Sequence, residues 1–63
     1  MTVINRDLVC VLIPTLNEKD TIGPVIEGMK AQGYHNILVA DGRSTDGTAE
    51  IAAGLGAKVF VQQ

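Results

Sequence analysis

Apolar and polar residues fall in alternating blocks along this chain. Residues 8–13 are continuously apolar and rich in β-branched side chains, the pattern of a strand covered on both faces, as in parallel sheets. Beyond Pro14, Thr15, Leu16, Asn17 and Glu18, the apolar positions Ile22, Val25, Ile26 and Met29 recur at helical spacing, and Gly33 stands where it would cap the helix end. Pro24 has no N–H to donate and breaks helix interiors, so the pattern predicts a start near Thr21, with Pro24 in the first turn and residues 17–20 as loop or irregular lead-in. A second apolar run, 36–40, ends abruptly in the polar, glycine-punctuated stretch 41–47. From Thr48, the residues Ile51, Ala52 and Leu55 keep a helical stripe until Gly54 and Gly56 stop it, and residues 58–61 read as a third strand.

Strands that alternate with helices of this length imply a parallel sheet with right-handed crossovers. The β-α-β-α-β order is one nucleotide-binding half of a doubly wound α/β fold, and ligands of such sheets bind beyond the carboxyl ends of the strands. The segments that emerge there are 14–18 and 41–48. Two right-handed crossovers running the same way give strand order 3-2-1 and put both helices on one face. The other face, and the edge of the first strand, are then expected to be bare and apolar, which predicts self-association.

Length and composition sharpen this picture. Sixty-three residues make one partial domain, 1–63, of marginal stability, since folding at this size buries only about 60% of the surface of the unfolded chain. With 46% hydrophobic and 19% charged residues, the composition is globular. A net charge of -2 with scattered basic residues gives no electrostatic footprint for nucleic acid. Cys10 is the only cysteine and is expected to be a buried free thiol in a reducing compartment. The run 8–13 is preceded by Asp7, ended by Pro14 and followed by no small-residue cleavage site, so export is not expected. No segment has the eighteen or so apolar residues of a membrane span. Placement in the cytoplasm, or on the cytoplasmic face of a membrane, fits best.

Asp41 follows the second strand, so its carboxylate is expected near the crevice at the top of the sheet. Two roles are open to it: contact with a ligand, or acceptance of bonds from its own loop's N–H groups. The segment from Gly42 to Gly47 has the glycine spacing of a phosphate-binding loop, but Thr48 stands where a Walker loop needs lysine. Gly54 and Gly56 precede a strand and lack a third glycine, which excludes a dinucleotide fingerprint. Glu18, beside a helix start, favours the helix dipole more readily than it serves as a base. His35 has no second His or Cys at ligand spacing and reads as a solvated turn residue. Arg43 either pairs with a diphosphate or is simply exposed.

Taken together, residues 11–18 (Val-Leu-Ile-Pro-Thr-Leu-Asn-Glu) and 37–52 (Ile-Leu-Val-Ala-Asp-Gly-Arg-Ser-Thr-Asp-Gly-Thr-Ala-Glu-Ile-Ala) closely resemble the opening of family 2 glycosyltransferases of the GT-A fold. The resemblance spans nearly the whole chain and is nearest to polyprenyl- or dolichyl-phosphate sugar (mannose or glucose) synthases. It implies that Pro14, Leu16 and Glu18 surround the base and ribose of a UDP- or GDP-sugar, that Asp41 contacts the base, and that Gly42 and Arg43 adjoin it. Many members carry an aromatic residue where Leu16 stands, and a second aspartate where Gly42 stands.

The resemblance further implies, for a full-length member, inverting transfer of the sugar to an acceptor such as a polyprenyl phosphate or a glycan. It also implies a divalent cation, Mg2+ or Mn2+, whose Asp-x-Asp ligands lie beyond Gln63, as do the catalytic base and any later membrane-associating segments. None of the catalytic or metal-binding residues is expected within the 63 residues, so the chain alone is expected to be inactive. Two other readings are open: a non-catalytic nucleotide-binding module, and a structural unit built for assembly through its sheet.

Overall fold

The computed structural model describes residues 8–62. Three strands and two helices follow one another as β1 (Val11–Thr15), α1 (Lys19–Ala31), β2 (Ile37–Asp41), α2 (Thr48–Gly54) and β3 (Lys58–Val61). The strands form one parallel sheet in the order β1-β2-β3, the architecture and strand order expected of one half of a GT-A nucleotide-binding fold.

Registered pairs place Val11 beside Ile37, Ile13 beside Val39 and Val39 beside Val59. These side chains share the face on which the core forms, because successive strand residues point to opposite sides. There Ile37 and Val39 are buried with Ile22 and Ile26 of α1 and Ala52 of α2, and Val11, Ile13, Met29, Leu55, Ala57 and Val59 pack around them. Both helices therefore cover the same side. The intervening residues Leu12, Leu38, Ala40 and Phe60 occupy the opposite side, where Leu12 is 62% and Phe60 58% exposed.

Both helices end in a Schellman motif. The N–H groups of Gly33 and Tyr34 reach the carbonyls of Lys30 and Met29, and those of Gly56 and Ala57 reach Ala53 and Ala52. The motif needs a left-handed residue, supplied by Gly33 at φ 90° and Gly56 at φ 93°. The Lys30 ammonium donates to the carbonyl of Leu55 at 2.8 Å and ties α1 to the C-terminal end of α2.

Several sequence expectations are corrected. The first strand begins at Val11 and runs to Thr15, because the ladder extends only where β2 lies alongside. Leu8, Val9 and Cys10 precede it, so the Cys10 thiol is exposed and not buried. β2 begins at Ile37 and includes Asp41 as its last residue. α1 begins at Lys19 and not near Thr21, leaving Pro24 as its sixth residue, inside the helix. Val25, assigned to the apolar stripe, is 42% exposed. The earlier helix start follows from contacts with the loop after β2: the Glu18 and Lys19 N–H groups bond to Thr48 and Asp46. Those bonds offset part of the cost, about 3 kcal/mol or more, of proline in a helix interior.

Candidate functional site

The carboxyl ends of β1 and β2 carry the two segments that the sequence singled out, and the structure stitches them together. At the strand ends Thr15 and Asp41 are registered partners. The Thr15 hydroxyl donates to Asp41 Oδ1 at 2.8 Å, and the Thr15 carbonyl accepts the Gly42 N–H at 2.8 Å. Gly42 allows this approach, since a Cβ there would sit 3.3 Å from the Thr15 carbonyl oxygen.

Beyond the strand ends, three consecutive amides, from the first loop into the first residue of α1, donate into side chains of the second loop and of the first residue of α2. The Asn17 N–H bonds to Ser44 Oγ at 2.8 Å, the Glu18 N–H to Thr48 Oγ1 at 2.8 Å, and the Lys19 N–H to Asp46 Oδ2 at 3.2 Å. Each hydroxyl in turn donates a hydrogen bond to a carboxylate, Ser44 Oγ to Asp41 Oδ1 at 2.6 Å and Thr48 Oγ1 to Asp46 Oδ1. In the reverse direction, the Thr45 N–H donates to Asn17 Oδ1 at 2.9 Å. Two parallel relays thus run from first-loop amide through second-loop hydroxyl to carboxylate. Among the described residues, every buried side-chain nitrogen or oxygen has a partner.

Asp41 is 1% exposed and organises its own loop, accepting the Ser44 N–H on Oδ2 at 2.7 Å as well as the two hydroxyls on Oδ1. A carboxylate offers about four acceptor positions, and the Arg43 N–H faces it as well as these three donors. The Ser44 hydroxyl and N–H hold the Asp41 carboxyl below its ordinary value, with the Thr15 hydroxyl and the Arg43 N–H adding to them, against the opposing effect of burial. The Thr48 hydroxyl does the same for Asp46, with the Lys19 and Thr48 N–H groups adding to it. Each bond favours the ionised form that accepts it.

Asp46 also fills the position at the start of α1 where an anion would otherwise be drawn by the free amides and the helix dipole. The first-loop amides from Asn17 to Lys19 are consequently spent on the protein's own side chains.

The other sequence-predicted residues surround this lattice. Pro14 is exposed on the sheet side away from the helices, Leu16 is 60% exposed, and Glu18 and Arg43 are exposed. Glu18 makes no side-chain cap bond to α1, and its Oε2 instead accepts the Thr21 hydroxyl at 2.8 Å. Among the described residues, Asn17 and Arg43 are the two non-glycine residues at positive φ, 53° and 68°. His35 is exposed between α1 and β2, away from the two loops. Among the described residues, no group of three or more His, Cys, Asp or Glu side chains is placed to hold a metal ion.

Thr15, Asn17, Ser44, Asp46 and Thr48 were not singled out from the sequence. Only part of their pattern is local: the Thr48 N–H returns to Asp46 Oδ1 at 3.1 Å, two residues back, the Asx-turn arrangement that Asp followed by Gly and Thr permits.

Residues 10–63 match the family model for Glycosyl transferase family 2. The chain is 54% identical over 56 residues to glycosyltransferase AglJ of Haloferax volcanii, covering 89% of this chain and 18% of that protein. It is 45% identical over 56 residues to the uncharacterized glycosyltransferase Mb0553 of Mycobacterium bovis, covering 89% of this chain and 25% of that one. The crystal structure of mannosyl-3-phosphoglycerate synthase from Rubrobacter xylanophilus superposes with a TM-score of 0.76 at 37% identity, over 82% of this chain and 18% of that one. The chain thus spans about a fifth to a quarter of the length of these relatives.

Proposed function

The chain belongs to glycosyl transferase family 2, and from that membership we propose that it is the donor-binding front of an enzyme that moves a sugar from UDP- or GDP-sugar to an acceptor such as a polyprenyl phosphate or a glycan. The acceptor oxygen bonds to the anomeric carbon as the bond from that carbon to the nucleoside diphosphate breaks, inverting the configuration. The relatives AglJ and mannosyl-3-phosphoglycerate synthase bear names of sugar-transferring enzymes, which supports the reaction class.

The donor-binding reading rests on the state of the first loop. Its amides are already taken by Ser44, Thr48 and Asp46, and Asp46 occupies the anion position at α1. A diphosphate finds the Asn17, Glu18 and Lys19 N–H groups taken and a carboxylate beside them, whereas a neutral base and ribose suit the exposed Pro14, Leu16 and Glu18. Exposed Leu16 supplies apolar contact for the base, and Arg43 the cation nearest to the departing phosphates. An ionised carboxylate only accepts hydrogen bonds, so in this reading Asp41 suits a base that presents a ring N–H, as uracil N3 and guanine N1 do and adenine and cytosine do not.

The divalent cation that the family implies does not fit the residues described, which offer no cluster of ligands. Binding by the 63-residue chain alone is accordingly expected to be weak, in the millimolar range, or about 4 kcal/mol, and without sugar transfer. No helix among the described residues is long and apolar enough to cross a membrane, and the reading needs none in this segment.

Calorimetric titration of the protein, in the longest form its reading frame encodes, with UDP, GDP, ADP and CDP tests the proposal. UDP or GDP is expected to bind about tenfold or more tightly than the other two. Equal affinities, or an Asp41→Ala variant with unaltered selectivity, would remove Asp41 from this role.

A further inference from the structure

Asn17 joins the first loop to the second through both its backbone and its side chain. Its backbone lies in the left-handed region at φ 53°, which only glycine, asparagine and aspartate visit readily. In that conformation its N–H reaches Ser44 Oγ at 2.8 Å, while its side-chain Oδ1 accepts the Thr45 N–H at 2.9 Å. One residue therefore grips two consecutive residues of the other loop, once with its backbone and once with its side chain. The Ser44 hydroxyl that it engages is the one that donates to Asp41 Oδ1 at 2.6 Å. Asn17 is exposed, so this arrangement does not arise from burial in the core.

We propose that Asn17 is a positioning residue, a latch that fixes the loop after β1 against the loop after β2 and so sets the separation between Leu16 and Glu18 on one side and Asp41 and Arg43 on the other. The proposal rests on the donor-binding reading, because those are the groups assigned to the nucleoside. Asn17 touches no reacting atom, and its effect on the ligand passes through Ser44 and Thr45. Releasing the Thr45 N–H lets residues 43–45 swing away from the first loop, and a ligand that spans both loops must then bear the cost of bringing them back together.

Three substitutions separate the backbone from the side-chain contribution. Asn17→Asp retains both an acceptor for the Thr45 N–H and tolerance of positive φ. Asn17→Gly retains the conformation and removes the acceptor. Asn17→Ala removes the acceptor and disfavours the conformation as well.

The experiment measures UDP and GDP affinity by calorimetry and the exchange rate of the Thr45 amide by NMR, on the protein in the longest form its reading frame encodes. Circular dichroism shows that each variant is folded at the temperature used. The expected result is a loss of affinity of about tenfold for Asn17→Gly and more for Asn17→Ala, near-wild-type affinity for Asn17→Asp, and faster Thr45 exchange in the first two. A merely structural role would lower thermal midpoints and leave the affinities of folded variants unchanged, and that outcome overturns the latch alone. Should Asn17→Ala fail to fold, the comparison of Asn17→Gly with Asn17→Asp decides by itself. A wild-type protein that binds neither nucleotide overturns the donor-binding reading, and the latch's part in it, together.

Discussion

Thr15 and Asp41, twenty-six residues apart, are registered partners at the ends of adjacent parallel strands, and the threonine hydroxyl donates to the aspartate carboxylate at 2.8 Å. The bond closes the top of the sheet at the point where both loops leave it. Everything that the loops do to each other begins from this fixed pair.

Thr48 makes the corresponding closure between the helices. Its hydroxyl is fully buried and both accepts the Glu18 N–H and donates to Asp46. Thr48→Val keeps the shape and leaves the amide without an acceptor, which should destabilise the chain by about 1–3 kcal/mol. Thr48→Ser should recover most of that. The shift in urea midpoint at unchanged m measures the effect, and a valine variant as stable as wild type would contradict it.

Acid should unfold the protein through Asp41 and Asp46. Hydrogen bonds lower both carboxyls from the ordinary 3.8, so the unfolded chain takes up protons at a pH where the native one does not. Their stabilising contribution is complete above that ordinary value, declines as pH falls below it, and is lost once pH has dropped through the lowered native values. A circular-dichroism titration should show a steeper acid transition for the wild type than for Asp46→Asn. Identical curves would mean that Asp46 ionises alike in both states.

Gly42→Ala tests the closeness of the strand ends. The added Cβ would lie 3.3 Å from the Thr15 carbonyl oxygen, an atom held in place by the Gly42 N–H. A cost of about 1 kcal/mol or somewhat more is expected for such overpacking, with a change in the chemical shift of the Gly42-position amide. An alanine variant at or above wild-type stability would show that the loop gives way freely.

The sheet side opposite the helices should drive association of the 63-residue chain. Leu12 and Phe60 are exposed there, beside half-buried Leu38 and Ala40, and contiguous apolar surface of this kind attracts a partner. Sedimentation equilibrium at micromolar concentration is expected to detect oligomers, and Leu12→Glu combined with Phe60→Lys to shift them toward monomer. A monodisperse wild-type monomer with protected β1 amides would refute this.

Sequence by itself determined the order of elements, the parallel sheet and the C-terminal ends of the helices, because each depends on neighbours a few residues away. Ile22, Ile26 and Met29 recur at helical spacing whatever surrounds them, and Gly33 and Gly56 accept positive φ at no steric cost. That the two segments after β1 and β2 lie together at the strand ends was equally legible, since both follow neighbouring parallel strands. What those segments do to each other was decided only in three dimensions. The bonds of Thr15 to Asp41, Asn17 to Ser44 and Thr45, and Glu18 to Thr48 join residues 26 to 30 positions apart, and no local pattern encodes such pairings. The same contacts moved the start of α1 back to Lys19 and placed Pro24 inside it. The extent of β2 likewise set where β1 could begin, which left Cys10 outside the ladder and exposed. A strand or helix end is settled by whichever partner satisfies its last backbone groups, and here those partners come from the far side of the chain.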